Sequence, residues 1–145
     1  MRTFAFVFIA STLITQNAFA QSSQRVRPDF QHGDIVTSNT GRMDGNLAIV
    51  SEANSDNIVG IYNESTQSSN LPNILISGIA YMKFDHANGE VVRGDLITSS
   101  SALGKGMKAN VSGMTIGVAL EASSPGMELL KIAVQPAWRS TTIEN

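Results

Sequence analysis

Short apolar runs, separated by Gly, Asn, Ser and Asp, dominate the chain beyond residue 20. This pattern is typical of an all-β protein built from many short strands. The runs are rich in Val, Ile, Thr and Tyr, which suit a pleated, half-buried surface, and no window shows helical periodicity. We predict strands at residues 34–38, 47–51, 57–62, 73–84 with a break near Gly78, 90–92, 95–99, 106–109, 114–121 and 127–135.

The chain repeats part of its own sequence in the same order. Two related copies predict one β domain, either a compact barrel or a sandwich of two pseudo-symmetric halves. We place this domain at residues 33–136, with halves at about 33–84 and 85–136 and a tail at 137–145. The matched segments are 32–38 (HGDIVTS) with 93–99 (RGDLITS), 58–61 (IVGI) with 115–118 (TIGV), and 73–76 (NILI) with 129–132 (LLKI).

Residues 1–20 have the features of a cleaved signal peptide. Arg2 precedes an apolar stretch, and Ala18-Phe19-Ala20 matches a signal peptidase site. We therefore expect a secreted or periplasmic protein that begins with a flexible lead-in at 21–32. No later segment approaches the roughly 20 apolar residues of a spanning helix, so we expect no integral membrane segment after cleavage.

Composition and charge argue against several classes of protein. The chain has no cysteine, which rules out disulfides and an acylated lipoprotein cysteine. Its formal net charge is −2 and its basic residues are scattered, so the footprint of a nucleic-acid-binding protein is missing.

A Gly-Asp pair begins a predicted strand in each half, as Gly33-Asp34 and Gly94-Asp95. Glycine lets the backbone turn without a Cβ clash, and an aspartate carboxylate accepts hydrogen bonds from turn amides. We predict that these four residues form two equivalent structural turns.

Catalytic and metal motifs are weak. His32 with Asp34, and Asp85 with His86, would make a metal site only if the halves brought them together, and their spacing matches no zinc motif. No G-x-S-x-G elbow or phosphate loop is present. We predict no catalytic, cofactor-binding or metal-binding residue, and the pattern favours a non-enzymatic protein.

Two features suggest interaction instead. The polar stretch 63–70 predicts an exposed loop, in which Asn63, Glu64, Ser65 and Asn70 are candidate contacts for a glycan or small ligand. Trp138 follows the last predicted strand. Either the tail docks onto the domain and buries Trp138, or Trp138 contacts another subunit.

The second half resembles a known module. Residues 88–100 (NGEVVRGDLITSS), 104–109 (GKGMKA) and 116–121 (IGVALE) resemble a duplicated β module of bacterial secreted and phage-derived proteins, over about residues 33–135. That module is similar to the autoproteolytic intramolecular chaperone domains of phage appendage and tail-spike proteins, which help trimeric fibres assemble. The resemblance assigns no cleavage residue in this chain.

The resemblance implies an assembly or interaction module at the envelope or in an appendage, and a homo-oligomer such as a trimer. A glycan or small-ligand binding module is the alternative, and a self-cleaving domain is less favoured; a surface protein is another partner class. The predicted strands at 73–77 and 127–135 carry only Glu128 and Lys131 as charges, so we expect another subunit to pair at least one exposed edge.

Overall fold

The computed structural model describes residues 29–64 and 73–141, which form short strands and one 3-10 turn. The predicted signal peptide, most of the lead-in and the end of the tail lie outside the described residues. No helix among the described residues is long and apolar enough to cross a membrane. The elements are β1 (Ile35–Ser38), β2 (Leu47–Ile49), β3 (Ile58–Tyr62), β4 (Ile74–Leu75), β5 (Gly78–Lys83), the 3-10 turn η1 (His86–Asn88), β6 (Leu96–Ser99), β7 (Gly106–Lys108), β8 (Gly113–Ala119) and β9 (Leu129–Arg139).

The strands form two antiparallel sheets. Sheet A has the order β2-β1-β3-β4, and sheet B has the order β5-β9-β8-β6-β7. The all-β prediction is confirmed. Neither sheet closes on itself within the described parts of the chain, so the barrel is not the architecture observed.

Corresponding strands occupy corresponding places in the two sheets. Sheet A read from β2 gives β2-β1-β3-β4, and sheet B read from β7 gives β7-β6-β8-β9. The register agrees as well: Val36 faces Gly60 across β1 and β3, while Ile97 faces Gly117 across β6 and β8. The repeated sequences therefore form repeated strands.

The third sequence match was wrong by two residues. Leu75 pairs with Ile61 in sheet A, and the residue in the same position of sheet B is Ala133, which pairs with Val118. The sequence comparison had aligned Leu75 with Lys131. Both segments are mainly apolar, so sequence similarity alone aligns them poorly, whereas the strand pairing gives the register directly.

Two glycines allow a close approach of strands at the same place in each sheet. A Cβ on Gly60 would overlap the carbonyl oxygen of Leu75, and a Cβ on Gly117 would overlap that of Ala133. The conflicting atom is backbone in both cases, so a rotamer change does not relieve it. β3 and β8 therefore both require glycine at the equivalent position, and this steric requirement is part of the duplication.

One strand of the first half belongs to the sheet of the second half. Gly78, with φ +124°, follows the bend at Ile76–Ser77 and starts β5, which confirms the predicted break in the 73–84 strand. β5 belongs to the first half in sequence, yet it pairs with β9 in sheet B. Sheet A therefore contains only four of the first half's strands.

One apolar core lies between the sheets and joins side chains from both of them. Burial of an Ile, Leu or Met side chain contributes about 1.5–3 kcal/mol relative to exposure, so this core provides the main stabilisation. Its fully buried members include Ile35, Ile58 and Ile61 from sheet A, and Met82, Ile97, Ile116, Leu130 and Ile132 from sheet B.

One predicted strand is absent, and the last strand ends later than predicted. Residues 90–92 form no strand. The Val91 N–H donates to the Ser123 hydroxyl, and the Val91 carbonyl accepts the Ser123 N–H, so neither group bonds a neighbouring strand. The last strand continues past Pro136 to Arg139, so residues 137–139 of the predicted tail belong to the sheet. Trp138 pairs with Met114 there and does not lie beyond the last strand.

Candidate functional site

The first Gly-Asp pair forms a tight turn held by its aspartate. The Asp34 N–H donates to the Gln31 carbonyl (3.0 Å), and the Asp34 carboxylate accepts the Gln31 N–H (2.7 Å). Gly33 has φ +90°, a conformation that disfavours any residue with a Cβ. The turn also holds the end of β3, because Gly33 and Asp34 exchange backbone hydrogen bonds with Tyr62.

The second pair repeats this turn. The Asp95 N–H donates to the Val92 carbonyl (3.1 Å), and the Asp95 carboxylate accepts the Val92 N–H (2.9 Å). Gly94 has φ +98°, and Gly94 and Asp95 exchange backbone bonds with Ala119. The geometry of Gly33, Asp34, Gly94 and Asp95 is that of two equivalent structural turns.

The two aspartates differ in burial and in charge pairing. Asp34 is 2% exposed, and its second oxygen accepts a hydrogen bond from the Lys83 ammonium at 2.7 Å. Asp95 is half-buried, and the Lys108 ammonium lies 3.7 Å from its carboxylate. Lys83 also donates to the Gln31 side chain (2.7 Å). The first turn is therefore an ion-paired, enclosed site, and the second is more open.

Gly104 closes the first turn from the second half. A Cβ on Gly104 would overlap the Asp34 carboxylate, and the Gly104 carbonyl accepts the Ile35 N–H at 2.9 Å. Sequence reasoning identified Asp34 but missed Lys83 and Gly104. Both reach Asp34 from distant parts of the chain, and only the fold reveals these contacts.

The histidines do not gather with the aspartates into one metal site. Nowhere in residues 29–64 and 73–141 do three or more His, Cys, Asp or Glu side chains meet in a metal-binding group. His32 Nδ1 accepts the Glu64 N–H at 3.3 Å, which leaves it in a separate contact. Asp85 caps η1 through the Ala87 N–H and accepts the Ser100 hydroxyl.

His86 joins η1 to the loop before β9. Its Nδ1 lies 2.5 Å from a Glu90 oxygen, and its Nε2 lies 3.0 Å from the Met127 carbonyl. Both partners are acceptors, so both bonds form only when the imidazole carries two N–H groups and a positive charge. Ser123 donates to the other Glu90 oxygen at 2.5 Å. Ser123 thus bonds the carboxylate and not the imidazole, unlike the nucleophile of a Ser-His-acid triad.

We predict a stability maximum in mild acid from this cluster. The Glu90 hydrogen bond, then that to the Met127 carbonyl, raises the pKa of His86 above 6.5; Asp85 is a further nearby carboxylate. The Ser123 and His86 bonds lower the pKa of Glu90 below 4.5. The histidine contribution is complete below pH 6.5 and is lost as pH rises through the raised pKa. The glutamate contribution is complete above pH 4.5 and is lost as pH falls through the lowered pKa.

Melting temperatures measured from about pH 4 to about pH 9 test this prediction. In His86→Gln, the fall in melting temperature above neutral pH should be smaller than in the unchanged protein. His32→Gln is the matched control, because it removes the other histidine of the chain. An equal slope in all three proteins would contradict the assignment to His86.

β5 exposes apolar side chains at the edge of sheet B. Ile79 is 61% exposed and Tyr81 is 45% exposed, whereas Ala80 and Met82 between and beside them face the core. Ile76 precedes the strand, and Leu129 of β9 pairs with Lys83 on the same face. We call Ile76, Ile79, Tyr81 and Leu129 the β5 surface. Clustered exposed apolar side chains on a soluble domain mark interaction sites.

One of the two predicted edge segments lies at a sheet edge, and the other does not. The segment 73–77 does contain an edge strand, β4, at the end of sheet A. The segment 127–135 does not, because β9 lies between β5 and β8. The exposed edge of sheet B on this side is β5.

Only some of the interaction residues predicted from sequence lie in the described part of the chain. Asn63 is buried, Glu64 is exposed, and Ser65 and Asn70 lie outside the described residues. Trp138 is 67% exposed, so the alternative in which the tail buries it is wrong.

An open cleft of about 400 Å³ lies beside β2 and was not predicted. Polar residues outnumber apolar ones in its lining, which among the described residues contains no aromatic side chain of the kind that stacks on sugars. The cleft therefore adds no support for glycan binding. Its polar lining includes Asn39, Asn46, Ser51, Glu52, Ser55 and Asn57.

In comparisons with known proteins, no family model, no curated protein and no solved structure matches this chain.

Proposed function

We propose that this protein is an exported, non-enzymatic β module, a sandwich of two pseudo-symmetric halves, that acts by assembly at the cell envelope or in an appendage. The observation that carries the proposal is the β5 surface, where an edge strand presents Ile79 and Tyr81 to solvent. Edge strands usually carry charges, prolines or bulges that discourage pairing. Residues 76–82 contain no charged residue and no proline.

Two features of the sequence support the same function. The signal-peptide pattern of residues 1–20 supports a secreted or periplasmic location. The resemblance of residues 33–135 to modules of phage appendage proteins supports a role in assembly, and a homo-oligomer is the state this role requires. The two turns at Asp34 and Asp95 serve the fold in this proposal and are not reaction centres.

The proposal predicts self-association that depends on the β5 surface. Light scattering of the purified protein, at concentrations on the order of tens of micromolar, should show a species larger than the monomer. Tyr81→Lys should return it to the monomer, because a charge is placed on the exposed edge. Leu103→Lys is the matched control, since Leu103 is 64% exposed in the turn between β6 and β7, and it should leave association unchanged.

Trp138→Ala provides a separate arm of this experiment. Trp138 lies four residues beyond Val134, the last β9 residue paired with β5, or roughly 13 Å along the strand. Loss of association in Trp138→Ala but not in Tyr81→Lys would place the interface at the far end of β9. A monomer at every concentration would contradict an assembly function.

A further inference from the structure

We propose that the partner of β5 is β5 of a second copy, paired antiparallel about a two-fold axis at Ala80. This inference rests on the proposed assembly function, to which it adds the identity of the partner and the register of pairing.

The free main-chain groups of β5 follow from the bonds at its end. The Phe84 N–H donates to the Glu128 carbonyl at 2.8 Å, whereas the Lys83 N–H donates to Gly33 on the opposite side at 3.0 Å. Successive N–H groups of a strand point to opposite edges, so those of Tyr81 and Ile79 point away from β9. No hydrogen bond among the described residues reaches these outward groups of Ile79 or Tyr81.

Only one two-fold register uses both sets of free groups. It places Ile79 of one copy opposite Tyr81 of the other, as hydrogen-bonded pairs on either side of Ala80 opposite Ala80. A register centred on Tyr81 requires the Lys83 N–H, which Gly33 already holds. A register centred on Ile79 requires Ser77, which lies in the bend before the strand.

The free edge and the strand that would occupy it also match in length. In this register, Gly78 of the second copy lies opposite Met82, one residue before the position that Gly33 covers. The chain bends at Ile76–Ser77 and Gly78 has φ +124°. The second copy therefore turns away from the edge just before the position that Gly33 already occupies.

Side chains and charge favour a second copy over an unrelated peptide. Ile79 opposite Tyr81 is a β-branched and aromatic cross-strand pair, a combination that stabilises antiparallel pairing. Residues 76–82 carry no charge, so two copies of a chain with net charge −2 meet there without direct like-charge contacts. Five paired residues per copy form a small interface, so the dimer should dissociate on dilution.

Cysteine cross-linking tests the register directly, since the natural chain contains no cysteine. Ile79→Cys and Tyr81→Cys are made as separate full-length proteins and mixed under mild oxidation. Hydrogen-bonded partners have Cα atoms about 5.5 Å apart, within disulfide range. Identical positions are diagonal neighbours about 7–8 Å apart, beyond that range. We expect a reducible dimer in the mixture, at least about tenfold more than in either protein alone.

The controls separate this inference from the proposed function. A mixture of Leu103→Cys and Val111→Cys, two exposed positions away from β5, should show no cross-link above background. Efficient cross-linking of Tyr81→Cys alone would overturn the register. If the unchanged protein associates and Tyr81→Lys prevents it, but the mixture does not cross-link, the strand pairing is wrong and the assembly function stands. A protein that is monomeric throughout overturns both.

Discussion

Gly117→Ala is expected to lower the free energy of unfolding by about 3 kcal/mol, the upper part of the range for overpacked sites. The added methyl group overlaps the Ala133 carbonyl oxygen in the middle of sheet B. Relief requires β8 and β9 to separate, and β9 is also held by β5 on its other side. Chemical denaturation of the two proteins measures the difference.

Two other glycines give a graded comparison. Gly60→Ala meets the Leu75 carbonyl in the equivalent place, but β4 is a two-residue edge strand that can move, so about 1–2 kcal/mol is expected. Gly89→Ala meets no atom, so its expected cost of about 1–3 kcal/mol comes from the backbone alone, since φ +94° with ψ −179° is a conformation that glycine adopts almost exclusively. A loss in Gly60→Ala as large as that in Gly117→Ala would contradict the expected difference in strand mobility.

Asp34→Asn is expected to cost about 3 kcal/mol, and Asp95→Asn less than about 1 kcal/mol. Both oxygens of Asp34 accept hydrogen bonds, one from the Lys83 ammonium and one from the Gln31 N–H. An amide group has one acceptor oxygen, so its NH₂ must face one of these donors within a buried site. At Asp95, the Val92 N–H and the Lys108 ammonium both approach the same oxygen, which an asparagine can supply.

A double-mutant cycle identifies the cause at Asp34. Lys83→Met removes the ammonium and leaves the Gln31 N–H, so Asp34→Asn should cost markedly less in that background. Thermal and denaturant unfolding of the four proteins gives the coupling energy. An undiminished cost in the Lys83→Met background would show that the ion pair is not the source.

The local signals in the sequence predicted much of the fold. The Gly-Asp turns were predicted because each turn's glycine and aspartate are adjacent, and because the device occurs twice. The end of β9 was not predicted, since Pro136 has no N–H to give to a ladder. The register between β8 and β9 shifts between Thr115 and Gly117, so Pro136 lies at the irregularity and the strand resumes beyond it.

The candidate surface depended on long-range topology. Ile79 and Tyr81 alternate with Ala80 and Met82 in sequence, which predicts a strand with one buried face but not its place in a sheet. Their exposure on an edge follows from the pairing of β5 with β9, in which the partner of Ile79 is Ala133 and that of Tyr81 is Lys131. The ion pair of Asp34 with Lys83 depends on the same strand, because Lys83 lies in β5. Neither the exposed surface nor the ion pair could therefore be predicted from the local sequence pattern.

The position of β9 also governs the order in which the chain can finish folding. β9 is the last strand of the described residues, and it pairs with both β5 and β8. A chain emerging from the ribosome can therefore form sheet A early, while β5 still lacks the partner strand that β9 provides. Until Leu129 and the residues after it arrive, the apolar strand is open to the wrong neighbours, and crowded nascent chains are at greatest risk of aggregation during this interval.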